Sequence, residues 1–145
     1  MTEVAFHFGA PDKLAYTCRL LRKAVGSGAR VMVLADAQNV RRLDADLWAL
    51  APTDFLAHCA QDADHAVLQR SAVVLAQQLP ADPPHRHVLV NLADQVPERF
   101  SEFERVIEVV SLDDDDRNRA RSRWKRYVEL GYTITRHDLA LKGAN

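Results

Sequence analysis

Three segments of this sequence are apolar almost without interruption: 30–35 (Arg-Val-Met-Val-Leu-Ala), 87–92 (His-Val-Leu-Val-Asn-Leu) and 105–110 (Arg-Val-Ile-Glu-Val-Val). A strand with one wet face alternates apolar and polar residues. A short continuous run rich in β-branched residues instead fits a strand buried on both faces, the kind found in parallel sheets. What lies between the runs is helical in period. Over 12–25, Leu14, Cys18, Leu21 and Val25 recur at steps of four, three and four, one stripe of an amphipathic helix. Asp12 is placed to cap it, and Gly26-Ser27-Gly28 to stop it. Asp36 opens a second helical stretch through Leu43, Leu47 and Leu50, which Pro52 closes. Residues 4–8 alternate weakly and are aromatic-rich, as a first strand would be. Strand, helix, strand, helix at this spacing is a βαβ unit.

The rest is read from the same signals. Residues 55–59 suit a short strand or turn, 60–70 a polar loop, 71–76 a short strand and 80–85 a loop. A short helix is expected over 97–103. The last long helix is expected over 112–130, ended by Gly131, with a final strand over 132–135. The expected fold is α/β, a single doubly wound, mostly parallel sheet with helices on both faces. It forms one domain over 1–139, with 140–145 a short C-terminal tail. A chain of 145 residues buries roughly two-thirds of its unfolded surface, so it needs no metal or disulfide to fold. The two cysteines, Cys18 and Cys59, match no zinc spacing and read as reduced thiols. No run approaches the roughly 20 apolar residues of a membrane span, and residues 1–4 do not begin a secretory signal. The expected location is cytoplasmic, with no membrane partner.

A doubly wound sheet invites a nucleotide, but the first strand-to-helix turn, Gly9-Ala10-Pro11-Asp12, is built against phosphate. It has one glycine, a proline without an N–H, and a carboxylate. The fold is therefore expected to be Rossmann-like without a phosphate-binding loop and without a cofactor. No nucleophile elbow is present. His58 and Cys59 are adjacent, so on a strand they point to opposite faces. His85 and His87 have a spacing that suits a metal but no obvious further ligands. The four carboxylates of 113–116 are expected to cap a helix and complement its dipole rather than hold a cation. Neither catalytic nor metal-binding residues are assigned.

The informative segment is 117–126, where six of ten residues are basic and none is acidic. On a helix, Arg117, Arg121, Trp124, Lys125 and Val128 share one side, and Arg119, Arg123 and Arg126 another. Cations beside an aromatic can grip an acidic peptide that carries a hydrophobic residue, or a nucleic-acid strand with stacked bases. The plainer alternative makes Trp124 core and the arginines a solvated face. A second cluster, Trp48, Leu50, Phe55 and Leu56, lies at a helix end and in the loop that follows. It is either tucked under as core or offered to a partner. A formal net charge of −1 supplies no global attraction to nucleic acid.

Three segments, in order and at matching intervals, carry a resemblance: Gly28-Ala-Arg30-Val31; residues 43–48 (Leu-Asp-Ala-Asp-Leu-Trp) with 55–58 (Phe-Leu-Ala-His); and 120–127 (Ala-Arg-Ser-Arg-Trp-Lys-Arg-Tyr) with Gly131-Tyr132. Nearly end to end the chain resembles the chi subunits of the bacterial DNA polymerase III holoenzyme, clamp-loader accessory proteins without catalytic activity of their own. The resemblance implies two protein partners: the psi subunit, and the acidic, Pro-Phe-ended C-terminal tail of single-stranded DNA-binding protein. DNA would be reached indirectly, through that protein. It implies that Arg117, Arg121, Trp124 and Lys125, with Val128 on the same side, hold the tail, and that Trp48, Phe55 and Leu56 face psi. Trp124 stands where relatives commonly have Tyr, and Arg117 where they often have Lys; both changes keep the chemistry. The alternative from another class is direct binding of single-stranded nucleic acid by the same arginines.

Overall fold

The computed structural model describes residues 2–49 and 58–139. Seven strands are present among them: β1 (Glu3–Ala10), β2 (Val31–Leu34), β3 (His58–Ala60), β4 (Val73–Ala76), β5 (Val88–Asn91), β6 (Arg105–Ser111) and β7 (Ile134–Asp138). They form one sheet in the order β3-β4-β2-β5-β6-β1-β7, and every neighbouring pair is parallel. The helices are α1 (Lys13–Gly26), α2 (Ala37–Trp48), α3 (His65–Arg70) and α4 (Asp114–Glu129), with a 3₁₀ turn at Phe100–Glu102.

The unbroken apolar runs divide by residue parity between two cores. Val31 and Val33 of β2, with Val88 and Val90 of β5, meet Leu14, Cys18 and Leu21 of α1 and Leu43 and Leu47 of α2. Met32, Leu34 and Leu89 meet Ala120 and Tyr127 of α4 and Phe100 and Phe103 on the opposite face. Helices therefore cover both faces of the sheet, which is why these strands carry no polar alternation.

The helix ends follow local chemistry. Asp12, Asp36 and Asp113 each accept a hydrogen bond from the backbone N–H three residues on. Gly28 and Gly131 sit at φ +94° and +89° just past α1 and α4. There Ala29 N–H donates to Ala24 and Tyr132 N–H to Tyr127, the paired closure that only a left-handed residue allows cheaply. Three segments differ from the sequence expectation. The short helix expected over 97–103 is only the 3₁₀ turn Phe100–Glu102. Residues 60–70 are not all loop, because α3 takes up their second half. It is too short to show a period. The last strand runs further than 135, to Asp138, where it pairs along β1. Leu50, Pro52, Phe55 and Leu56 lie outside the described residues, as does the segment 140–145.

Candidate functional site

β1, β6 and β7 end side by side, and α4 follows β6 and packs back on one face of the sheet. In that corner lies an open hollow of about 460 Å³ lined by Phe8, Gly9, Ser111, Leu112, Arg117, Arg121, Trp124, Arg136 and Asp138. The carboxyl ends of parallel strands are where α/β sheets generally meet ligands. Gly9 takes φ +85° where β1 breaks register with β6, so the backbone there turns without a side chain intruding on the hollow.

Trp124 is neither wholly core nor wholly exposed. Its ring meets Phe6 edge-on at 5.1 Å and Phe8 at 5.9 Å, while also lining the hollow. Packing on one side fixes the indole, and the other side borders the hollow. Arg136, from β7, lays its guanidinium 4.5 Å from the centroid of Phe8 and lies 3.7 Å from Asp138. Arg121 donates to the Asn118 side chain at 3.2 Å, and Arg117 lies 3.7 Å from a largely exposed Asp114. Three guanidiniums therefore border an aromatic floor, with Asp138 the one carboxylate in the lining. Lys125 and Val128, expected in the same site, are exposed on α4 but do not line the hollow. Arg136 and Phe8 were not expected. Their signal was weak, since a basic residue in a short polar strand has no periodicity to mark it.

The acidic run beside the arginines is turned to structural use. Asp113 caps α4 through the Asp116 N–H at 3.0 Å. Asp116 is buried, accepts from the Ser111 N–H at 2.8 Å, and pairs with Lys13 at 3.0 Å. Burial alone would raise its pKa. The Ser111 N–H and the Lys13 ammonium outweigh that and hold it below the ordinary carboxylate value.

Beneath the helix lies a buried polar cluster. Glu108, fully enclosed in β6, accepts from Arg123 Nε at 2.9 Å, Tyr127 Oη at 2.8 Å and Asn91 Nδ2 at 2.9 Å. Burial pushes the Glu108 carboxyl up; the Arg123 charge and the three hydrogen bonds oppose it. Arg123 thus does not share a solvated face with Arg119 and Arg126. It is 2% exposed and ties α4 to the sheet, fixing the pitch at which Arg117, Arg121 and Trp124 present themselves.

The remaining candidates separate. Trp48 ends α2, is 62% exposed, and lies with its ring 4.8 Å from the His58 ring at a tilt of 56°; His58 Nε2 lies 3.1 Å from Asp44. Its expected companions Phe55 and Leu56 lie outside the described residues. His58 and Cys59 divide between the two faces of β3, with Cys59 in the core shared with α4. His87 Nδ1 accepts from the Arg30 N–H at 3.2 Å. The His85 ring nitrogens are buried rather than solvated, and burial, then the charges of Arg30 and His87, lower its pKa to about 4. Among the described residues no three His, Cys, Asp or Glu side chains gather as a metal site, and no helix is long and apolar enough to cross a membrane.

Known proteins place this architecture. A family model described as "DNA polymerase III chi subunit, HolC" matches residues 1–135. A DNA polymerase III subunit chi of Pseudomonas aeruginosa is 32% identical over 130 residues, covering 88% of this chain and 87% of that protein. Its counterpart in Haemophilus influenzae is 23% identical over 119 residues, covering 81% of each.

Proposed function

The chain belongs to the family of DNA polymerase III chi subunits, accessory rather than catalytic components of a replicative polymerase, and from that premise we propose that it is an adaptor in DNA replication. Its hollow at the carboxyl ends of β1, β6 and β7 takes the acidic, Phe-ended tail of single-stranded DNA-binding protein, and its α2 end, around Trp48, meets the psi subunit of the clamp loader. One observation carries the first half. Arg117, Arg121 and Arg136, from two different elements, converge on one floor made by Phe8 and Trp124.

The chemistry follows from the parts. A terminal carboxylate and upstream aspartates are acceptors only, and guanidiniums bind carboxylates through parallel N–H···O pairs. A terminal Phe ring fits over the exposed side of Trp124, with its carboxylate toward the arginines. The Arg136 guanidinium is stacked on Phe8, so less side-chain freedom is lost on binding. Because the hollow is open, the tail docks and leaves without any lid. The psi half is supported by the exposure of Trp48, a large aromatic at a helix end.

Anisotropy of a labelled tail peptide tests the first half. Saturable binding that weakens with salt, and that falls at least about tenfold when the terminal Phe is deleted, supports it. Binding indifferent to that Phe would leave only a diffuse charge attraction and overturn the reading.

A further inference from the structure

α4 has two flanks, and only one of them faces the hollow described above. Beyond the exposed ridge that carries Asn118 and Lys125, the other flank borders a second hollow of about 440 Å³. It is lined by Asp94, Gln95, Val96, Arg119, Ser122, Arg123 and Arg126. Arg123 sits at its base. Its Nε is satisfied by Glu108 and its Nη1 reaches the Asp94 carbonyl at 3.4 Å. Its Nη2 is buried and has no hydrogen-bond partner among the described residues. A buried guanidinium nitrogen with nothing to donate to is costly, and an anion entering the hollow would relieve that cost.

The surroundings indicate which anion. Arg119, Arg123 and Arg126 stand at i, i+4 and i+7, so their attachment points advance about 10 Å along α4 in total. Glu108 balances Arg123, Asp94 at 3.1 Å and Asp116 at 3.9 Å take a share of Arg119, and Arg126 has only a 3.9 Å approach to Glu129. Ser122 and Gln95 add neutral donors at the rim. Unlike the first hollow, this one contains no aromatic side chain. A Phe-ended peptide would find no ring to stack on, and nor would a base. A row of cations and hydroxyl or amide donors without aromatics suits a ligand with repeated anionic groups read only through its backbone.

We propose that this second flank of α4 is a subsite for the phosphodiester backbone of single-stranded nucleic acid, independent of the peptide hollow on the first flank. A replication subunit would then touch the strand itself while holding the protein that coats it. Contact would be sequence-neutral and strongly salt-dependent. Arg123 is already balanced by Glu108, so Arg119 and Arg126 neutralise about two phosphates, and log Kobs falls against log salt with a slope of about −1.4.

The test is anisotropy of a labelled oligothymidylate with the full chain from 20 to 200 mM salt, comparing wild type with Arg119→Ala/Arg126→Ala and with Arg121→Ala. Affinity should fall about 25-fold across that range. The double variant should flatten the slope to near zero while still binding the tail peptide as wild type does. Arg121→Ala should leave the oligonucleotide slope unchanged. Three results overturn the proposal: no oligonucleotide binding at 20 mM salt, binding lost in Arg121→Ala but kept in the double variant, or a double variant that loses the peptide instead. Ser122→Glu places a carboxylate at the rim without touching the buried cluster. It should abolish oligonucleotide binding at a wild-type melting temperature, and intact binding in that variant also refutes the site.

Discussion

Replacing Arg123 by Met removes the cation that faces Glu108 and leaves a buried carboxylate with only Tyr127 and Asn91 as donors. Breaking one side of a buried pair costs about 3–5 kcal/mol. A domain of this length holds about 7–20 kcal/mol in all, so the variant should still fold. Its melting temperature should drop by about 6–20 °C, at 2–4 °C per kcal/mol. The sign of the pH dependence follows from the buried acid. Glu108 already has a raised pKa in the fold, and losing Arg123 raises it further. A carboxyl raised above its unfolded value binds more protons in the native state, so its cost grows with pH. The destabilisation of Arg123→Met should therefore be smallest in acid and increase by up to about 1.4 kcal/mol per pH unit once the pH passes the raised wild-type pKa of Glu108. Adding Glu108→Gln should recover part of the loss at pH 8, because the amide oxygen can still accept from Tyr127 and Asn91. Urea unfolding of wild type, both single variants and the double variant between pH 4 and 8 measures all of this. A cost below about 1 kcal/mol, or one flat with pH, would refute the view that this pair anchors α4.

Further expectations concern neighbouring groups. Asp116→Asn should lose about 1–3 kcal/mol by weakening the Lys13 and Ser111 contacts. That contribution is present above the unfolded carboxyl pKa and fades as pH falls through the lowered native value, so the gap to wild type in urea melts should close in acid. His85, held neutral down to about pH 4, should make the fold lose stability as pH drops from 6.5 toward 4, since the unfolded chain takes up its proton first. His85→Gln should flatten that part of a stability–pH curve. The Cys18 thiol, pushed up to about 11 by burial and then by Asp46 and Asp12, should resist a thiol reagent at pH 8 until the protein unfolds.

How far the sequence predicts this molecule depends on which forces mark it. Runs such as 31–34 and 88–91 announce burial on both faces, because every residue in them must avoid water. The Asp caps and Gly131 announce helix ends through local hydrogen bonds. α3 leaves no such trace: six residues cannot display a period, and Asp64 caps it without a side-chain bond. Arg123 is misplaced by a helical wheel that treats arginines alike. The clue lay elsewhere, in Glu108, a lone carboxylate inside an apolar strand that calls for a buried cation. Arg117, Arg121 and Trp124 are legible because one helix presents them together. Arg136 is not, because only the pairing of β7 with β1 brings it to Phe8, and that is a long-range fact.

The most direct measurement of the central claim is where the terminal ring of the tail peptide rests. In ¹⁵N-edited NMR of the labelled chain with unlabelled peptide, contacts are expected from that ring to Trp124 and Phe8. Shifts are expected at Leu112, Arg117, Arg121 and Arg136, and none beyond background at Trp48. Contacts centred on Trp48, or on Val96 and Ser122 across the ridge of α4, would contradict the claim.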